Sequence, residues 1–166
     1  MKKKRKSIDE AYQHIAKVYL AKHQFAQSQI TNVHIDRHHL QSTLVYFHNL
    51  LNDQLRSKDL SSNKYSNEQL YIIIAQLLLD RQDFDQALTY FKELIYLQLI
   101  KQPRGDSHSA NTYRIMAQLY TQQGLFDHAI YNYKQALQIY IRNSNKQQPI
   151  IQHIEHQIRQ ILIPQI

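Results

Sequence analysis

A chain of 166 residues, 43% apolar and 20% charged, is long enough to build a stable core and too apolar to remain unfolded. Two Gly, three Pro and no Cys exclude a turn-rich β-sandwich or barrel, glycine-rich phosphate loops, disulfides, thiolate zinc sites and a cysteine nucleophile. The net charge of +7 is local: Lys2, Lys3, Lys4, Arg5 and Lys6 supply five of the charges, leaving 15 basic against 13 acidic groups in residues 7–166.

Residues 1–7 therefore read as a basic disordered tail and 8–166 as a single domain, with no basic face spread over the fold to take nucleic acid. Asp9, Glu10, His14 and Lys17 interrupt the apolar run that a secretory leader would need. Beyond the tail, apolar residues recur at three and four, and strict alternation is absent, which is helical periodicity. About eight helices are expected, near 8–22, 25–35, 38–57, 67–81, 84–101, 108–122, 126–142 and 148–162. The longest apolar window, Tyr71 to Leu79, is too short to cross a membrane, which takes about 20 residues.

The chain repeats itself. Shifted by 42, Tyr71, Ala75, Gln76, Leu77, Phe84, Asp85, Ala87, Phe91 and Lys92 fall on Tyr113, Ala117, Gln118, Leu119, Phe126, Asp127, Ala129, Tyr133 and Lys134. Shifted by 44 the other way, Asp36, Arg37, Leu40, Leu44, Tyr46, Phe47 and Leu50 fall on Asp80, Arg81, Phe84, Leu88, Tyr90, Phe91 and Leu94. In the clearest copy, Ala117 and Ala129 are small enough for two helices to approach closely, Phe126 and Tyr133 fill the space around that contact, and Gly124 ends the first helix.

This pattern resembles the tetratricopeptide repeat, and its 42–44 residue period is similar to the long-period repeats of kinesin light chains and related adaptor proteins. The resemblance implies an all-α, right-handed superhelical solenoid of antiparallel helix pairs. Its units would be 24–57, 68–101 and 110–143, between a leading helix at 8–22 and a capping helix at 148–162. Gln82 stands where the third unit has Gly124, and Thr31 and Thr43 stand where the later units have alanines. A second register, using Tyr12, Ile15, Ala16, Tyr19 and Phe25, would make 9–35 the first unit. The 44-residue register matches the long second helix residue by residue and is preferred.

The resemblance also implies a function: a protein–protein interaction module, an adaptor or scaffold, whose first helices line a concave groove for a partner's peptide. Carried over by repeat position, the groove residues are Asn32, Gln69, Ile72, Gln76, Asn111, Arg114, Gln118 and Gln122, with Ser28, Leu79, Asp80 and Thr121 beside them. Asn32, Gln76 and Gln118 would form a row of carboxamides able to donate and accept along a peptide backbone. Arg114 favours an acidic partner, and Ile72 and Leu79 an apolar one. The clamp that some relatives close on chaperone tails is incomplete, with Ile73 in place of its Asn.

No chemistry competes with this reading. His34 with His38, and His153 with His156, are pairs at helical spacing, short of the three ligands that a metal needs. Asp80, Asp83 and Asp85 straddle a turn and suit helix capping. Arg104-Gly105-Asp106 matches the integrin triplet but is ordinary loop chemistry. Neither an enzyme, a cofactor nor a small-molecule substrate is expected. The location implied is the cytoplasm, with the Lys2–Lys6 run readable as a nuclear import signal. The alternatives are a regulatory protein whose basic tail contacts nucleic acid, and a scaffold that self-associates through its end helices.

Overall fold

The computed structural model describes residues 10–20, 37–56, 65–143 and 148–163. All regular structure among them is α-helical. We number the helices α1 (10–20), α2 (Arg37–Arg56), α3 (Asn67–Asp80), α4 (Phe84–Lys101), α5 (Ser107–Gln122), α6 (Phe126–Asn143) and α7 (Gln148–Leu162). Each coincides within two residues with a periodic segment of the sequence. The expected helix at 25–35 and the basic tail lie outside the described residues.

Local chemistry fixes the ends. Ser66 caps α3: its hydroxyl accepts from the Gln69 N–H at 3.2 Å, and Gln69 Oε1 accepts from the Ser66 N–H at 2.9 Å. Asp106 caps α5 in the same reciprocal way. Its carboxylate accepts from the Ser109 N–H at 3.0 Å, while its own N–H donates to Ser109 Oγ at 2.7 Å. The Arg-Gly-Asp triplet is thus a helix start, with its carboxylate engaged. Asp83, just ahead of α4, accepts from the Gln86 N–H at 3.5 Å, the capping role expected of the acidic cluster, and from Gln86 Nε2 at 2.7 Å.

Two turns of identical construction join α3 to α4 and α5 to α6. The Asp83 N–H bonds the Leu78 carbonyl at 2.9 Å, and the Leu125 N–H bonds the Tyr120 carbonyl at 2.8 Å. Each turn holds one left-handed residue: Gln82 at φ 64° and Gly124 at φ 72°. A residue with a Cβ pays about 1–2 kcal/mol there. Gln82→Gly should therefore raise the unfolding free energy by about 1 kcal/mol, read as a higher urea midpoint at constant m-value. An unchanged midpoint would show that the turn carries no strain.

The contacts divide the chain into two compact units, Met1–Tyr90 and Phe91–Ile166. In the first, α2 presents Leu40, Leu44, Phe47 and Leu51, at spacings of four, three and four, as one buried stripe. Helix α2 packs on α3, whose Leu70, Ile73, Ile74, Leu77 and Leu78 are wholly buried. Phe47 sits in an aromatic cluster, edge-on to Tyr12, Tyr46 and Tyr65, with centroids 6.2, 5.2 and 6.1 Å away. Tyr12 stacks on Tyr46 at 4.2 Å. Two buried polar groups bond across the unit: Tyr19 Oη donates to Asp80 Oδ2 at 2.6 Å, and Gln54 Nε2 to the Tyr65 carbonyl at 2.9 Å.

In the second unit, α5 and α6 lie against each other and α6 packs on α7. Ala110, Ala117, Tyr133, Ala136, Ile139, Tyr140, Ile151 and Ile154 make one core. Ala117 and Ala129 are fully buried, as their size demands at a close contact. Phe126 departs from expectation and is 51% exposed. It is the first residue of α6, where a side chain emerges over the turn rather than between the helices. Thr112 Oγ1 donates to Gln98 Oε1 at 3.1 Å, tying α5 to the end of α4.

Burial raises the pKa values of Tyr19, Tyr65, Tyr90, Tyr113, Tyr133 and Tyr140, with the Asp80 carboxylate adding to the effect on Tyr19. In the unfolded chain these hydroxyls ionise near 10. Above that pH the unfolded state has released protons that the folded state retains, so stability falls as pH rises. Denaturant titrations should show full stability near pH 8 and a steep loss from about pH 10 upward. A flat profile would mean that the phenols are not held neutral by the fold.

Candidate binding faces on the first helices

Helices α3 and α5 carry the expected groove residues, and each is described within its own unit. On α3, Gln69 is engaged in the cap with Ser66, Ile72 is half-buried, and Gln76 is only 4% exposed. Leu79 is half-buried, and Asp80 receives the Tyr19 hydroxyl. Ser28 and Asn32 lie outside the described residues. Repeat position places Gln69 in the groove and misses its capping role, although the Ser66-x-x-Gln69 spacing of a capping box signals it.

On α5 the structure brings three of the expected residues together. Asn111, Arg114 and Gln118 share one face at spacings of three and four. Arg114 Nη2 donates to Asn111 Oδ1 at 2.8 Å, and Nη1 to Gln118 Oε1 at 3.2 Å. The amides hold the guanidinium fork from both sides, and Gln122 stands exposed one turn on. Thr121 turns back to its own helix, donating to the Ala117 carbonyl at 2.9 Å.

Arg114 is not the exposed cation that its repeat position suggested. Its side chain is 2% exposed, among the largest fully buried groups of the protein, and Nε is buried with no hydrogen-bond partner. Among the described residues it meets no carboxylate. Its neighbours are the two amides and the phenols of Tyr133 and Tyr140. Burial pushes both hydroxyls up in pKa, and the cation beside them pulls part of that shift back. Removing Arg114 would therefore disturb packing. The sequence held one signal of this arrangement: amide side chains at i−3 and i+4 of an arginine flanked by packing residues.

Two other depressions exist. Leu40, Gln41, Asp80, Arg81 and Gln82 line an open pocket, where Arg81 Nη1 donates to Gln41 Oε1 at 2.8 Å. Lys134, Leu137, Gln138, Ile141 and Arg142 line a shallow apolar groove on α6. No cluster of three or more His, Asp or Glu gathers among the described residues.

Residues 67–142, from the first residue of α3 to the penultimate residue of α6, match the family model of the tetratricopeptide repeat. Over these residues the chain is similar to tetratricopeptide repeats. The match covers the two helix pairs whose turns and buried alanines are described above, so the repeats account for Ala75, Ala87, Ala117 and Ala129 as packing positions. Repeats of this kind mediate protein–protein interaction. No curated protein and no solved structure matches the chain. No helix among the described residues is long and apolar enough to cross a membrane.

Proposed function

We propose that the protein is an adaptor or scaffold module that takes peptide segments of a partner on the first-helix faces of its repeats, α3 in the first unit and α5 in the second. The observation that carries this reading is the α5 row. Asn111, Arg114 and Gln118 are polar groups held in place by one another on a helix whose other faces build the core. An ordered row of donors and acceptors suits a peptide backbone and one acidic group, and half-buried Ile72 and Leu79 on α3 suit apolar side chains. The partner is therefore a protein segment of mixed apolar and acidic character. The reading includes no cofactor, small-molecule substrate or catalysis, and its setting is the cytoplasm or nucleus.

A photo-crosslinking residue tests the face directly. Placed at Gln122, it should capture the bound partner. Placed at Lys92 or Glu93, exposed on α4, it should not. Adducts from the α4 positions alone would move the site to the second helices and overturn the assignment.

A further inference from the structure

We infer that the apolar groove on α6 is a docking surface for an acidic amphipathic helix of a partner protein. The surface is separate from the first-helix faces, since α6 is the second helix of its pair.

Five residues of one helix build it. Lys134, Leu137, Gln138, Ile141 and Arg142 follow one another at spacings of three and four, and so share one face. Leu137 is half-buried and packs on the core of the second unit, while Ile141 is 56% exposed. A lone exposed isoleucine would be ordinary. Here it continues an apolar floor that starts at Leu137, and the hydrocarbon stems of Lys134 and Arg142 extend that floor at both ends.

The charges indicate what covers it. Lys134 and Arg142 are eight residues apart, about 12 Å along the helix. Neither pairs with a carboxylate among the described residues. Arg142 Nη2 donates to the Arg104 carbonyl, which orients the guanidinium and uses one of its five donors. The bracket of two cations is particular to α6. At the same places 42 residues earlier, α4 has Lys92 and Ile100, so repeat packing does not demand the second cation.

A second copy of this chain fits badly. Two α6 helices laid antiparallel and centred on Gln138 would set Lys134 of each against Arg142 of the other. Laid parallel, each cation would meet its own counterpart. Either way like charges oppose each other at both ends of the contact. An anionic membrane fits badly too. Helices that lie on such surfaces carry runs of cations, whereas this face has two, and exposed Asp127 lies two turns before Lys134 on the same side. A partner helix with two acids seven or eight positions apart, and apolar residues at the third and fourth positions between them, meets both cations and the floor at once.

The test uses the full chain and three stapled helical peptides. The first carries Glu-x-x-Leu-Leu-x-x-Glu on one face, the second has both acids as Gln, and the third has both as Lys. The first should shift amide resonances of α6 around Ile141 and bind about tenfold tighter than the second, the combined worth of two exposed ion pairs. The third should bind most weakly. Lys134→Glu should weaken the first peptide and strengthen the third, and Ile141→Ser should weaken all three. Both residues are exposed, so both variants should melt close to the parent.

Equal affinity for the first and second peptides overturns the inference, as does a Lys134→Glu variant that keeps the parent's preference. Shifts confined to α3 and α5 also overturn it, while leaving the first-helix reading in place. A dimer in sedimentation that Ile141→Ser dissolves would give the groove to a second copy. Pelleting with phosphatidylserine vesicles that Lys134→Glu and Ile141→Ser abolish would give it to a membrane. Either result overturns the inference.

Discussion

Phe47→Ala should lower the unfolding free energy by about 3–5 kcal/mol, the largest loss expected from a single truncation in this protein. Phe47 is wholly buried, and three aromatic rings meet it edge-on: Tyr12 from α1, Tyr46 from its own helix and Tyr65 from the approach to α3. Removing it leaves a void that those rings cannot close, because Tyr12 and Tyr46 are already stacked on each other at 4.2 Å. Edge-to-face contacts worth about 0.5–1.5 kcal/mol beyond area burial are lost as well. A domain of ordinary stability has about 5–15 kcal/mol in all, so the urea midpoint should fall steeply, or the first unit should fail to fold. Phe47→Leu, which refills most of the volume, should recover most of the loss. A loss below about 1 kcal/mol for the alanine variant would show that the cluster is not a cooperative part of the core.

Gly105→Ala should cost about 2–4 kcal/mol, from two causes that can be separated. Gly105 has φ 73°, a conformation that penalises any Cβ. An added Cβ would also sit 2.7 Å from Ile139 Cδ1 and 3.0 Å from Ser109 Oγ. Ile139 is part of the second unit's core, and Ser109 is fully buried and completes the α5 cap, so neither can retreat freely. Gly124 supplies the control. Its φ is 72° and nothing lies within 4 Å of its would-be Cβ, so Gly124→Ala carries the backbone strain alone, about 1–2 kcal/mol. Equal losses at the two glycines would mean that Ile139 yields and the close packing is unimportant.

The helices and their turns were legible because each depends on residues close in sequence. Periodicity at three and four marks α2 through α7. The 42-residue self-match places Gln82 and Gly124 at equivalent turns, and Asp83 caps α4 as its cluster suggests, whereas Asp106, read as part of a loop, proves to be the cap of α5. The small residues Ala75, Ala87, Ala117 and Ala129 are all fully buried. What stayed hidden is which face a neighbour covers. Arg114 occupies a repeat position expected to line a groove, and repeat position alone cannot reveal that it is buried beside Tyr133 and Tyr140 of the next helix. Phe126 fits the aromatic pattern of the repeat yet emerges at a helix start. Gln98 and Thr112 bond in the core because two helices bring them together, a pairing that no local pattern encodes.

The bond from Gln54 Nε2 to the Tyr65 carbonyl has a use in engineering. It fastens the chain where it leaves α2 to the place where it returns ahead of α3, and Tyr65 is anchored a second time against Phe47. Between two fixed points, the entropy of closing a connection grows only with the logarithm of its length, and each doubling costs about 0.6 kcal/mol. The Ser61-Ser62-Asn63 stretch is therefore where a tag, a reporter domain or a pair of new termini should be accepted while the aromatic cluster and the α3 face keep their geometry. The repeats would then carry a cargo at a site remote in sequence from the α5 row that is to be probed.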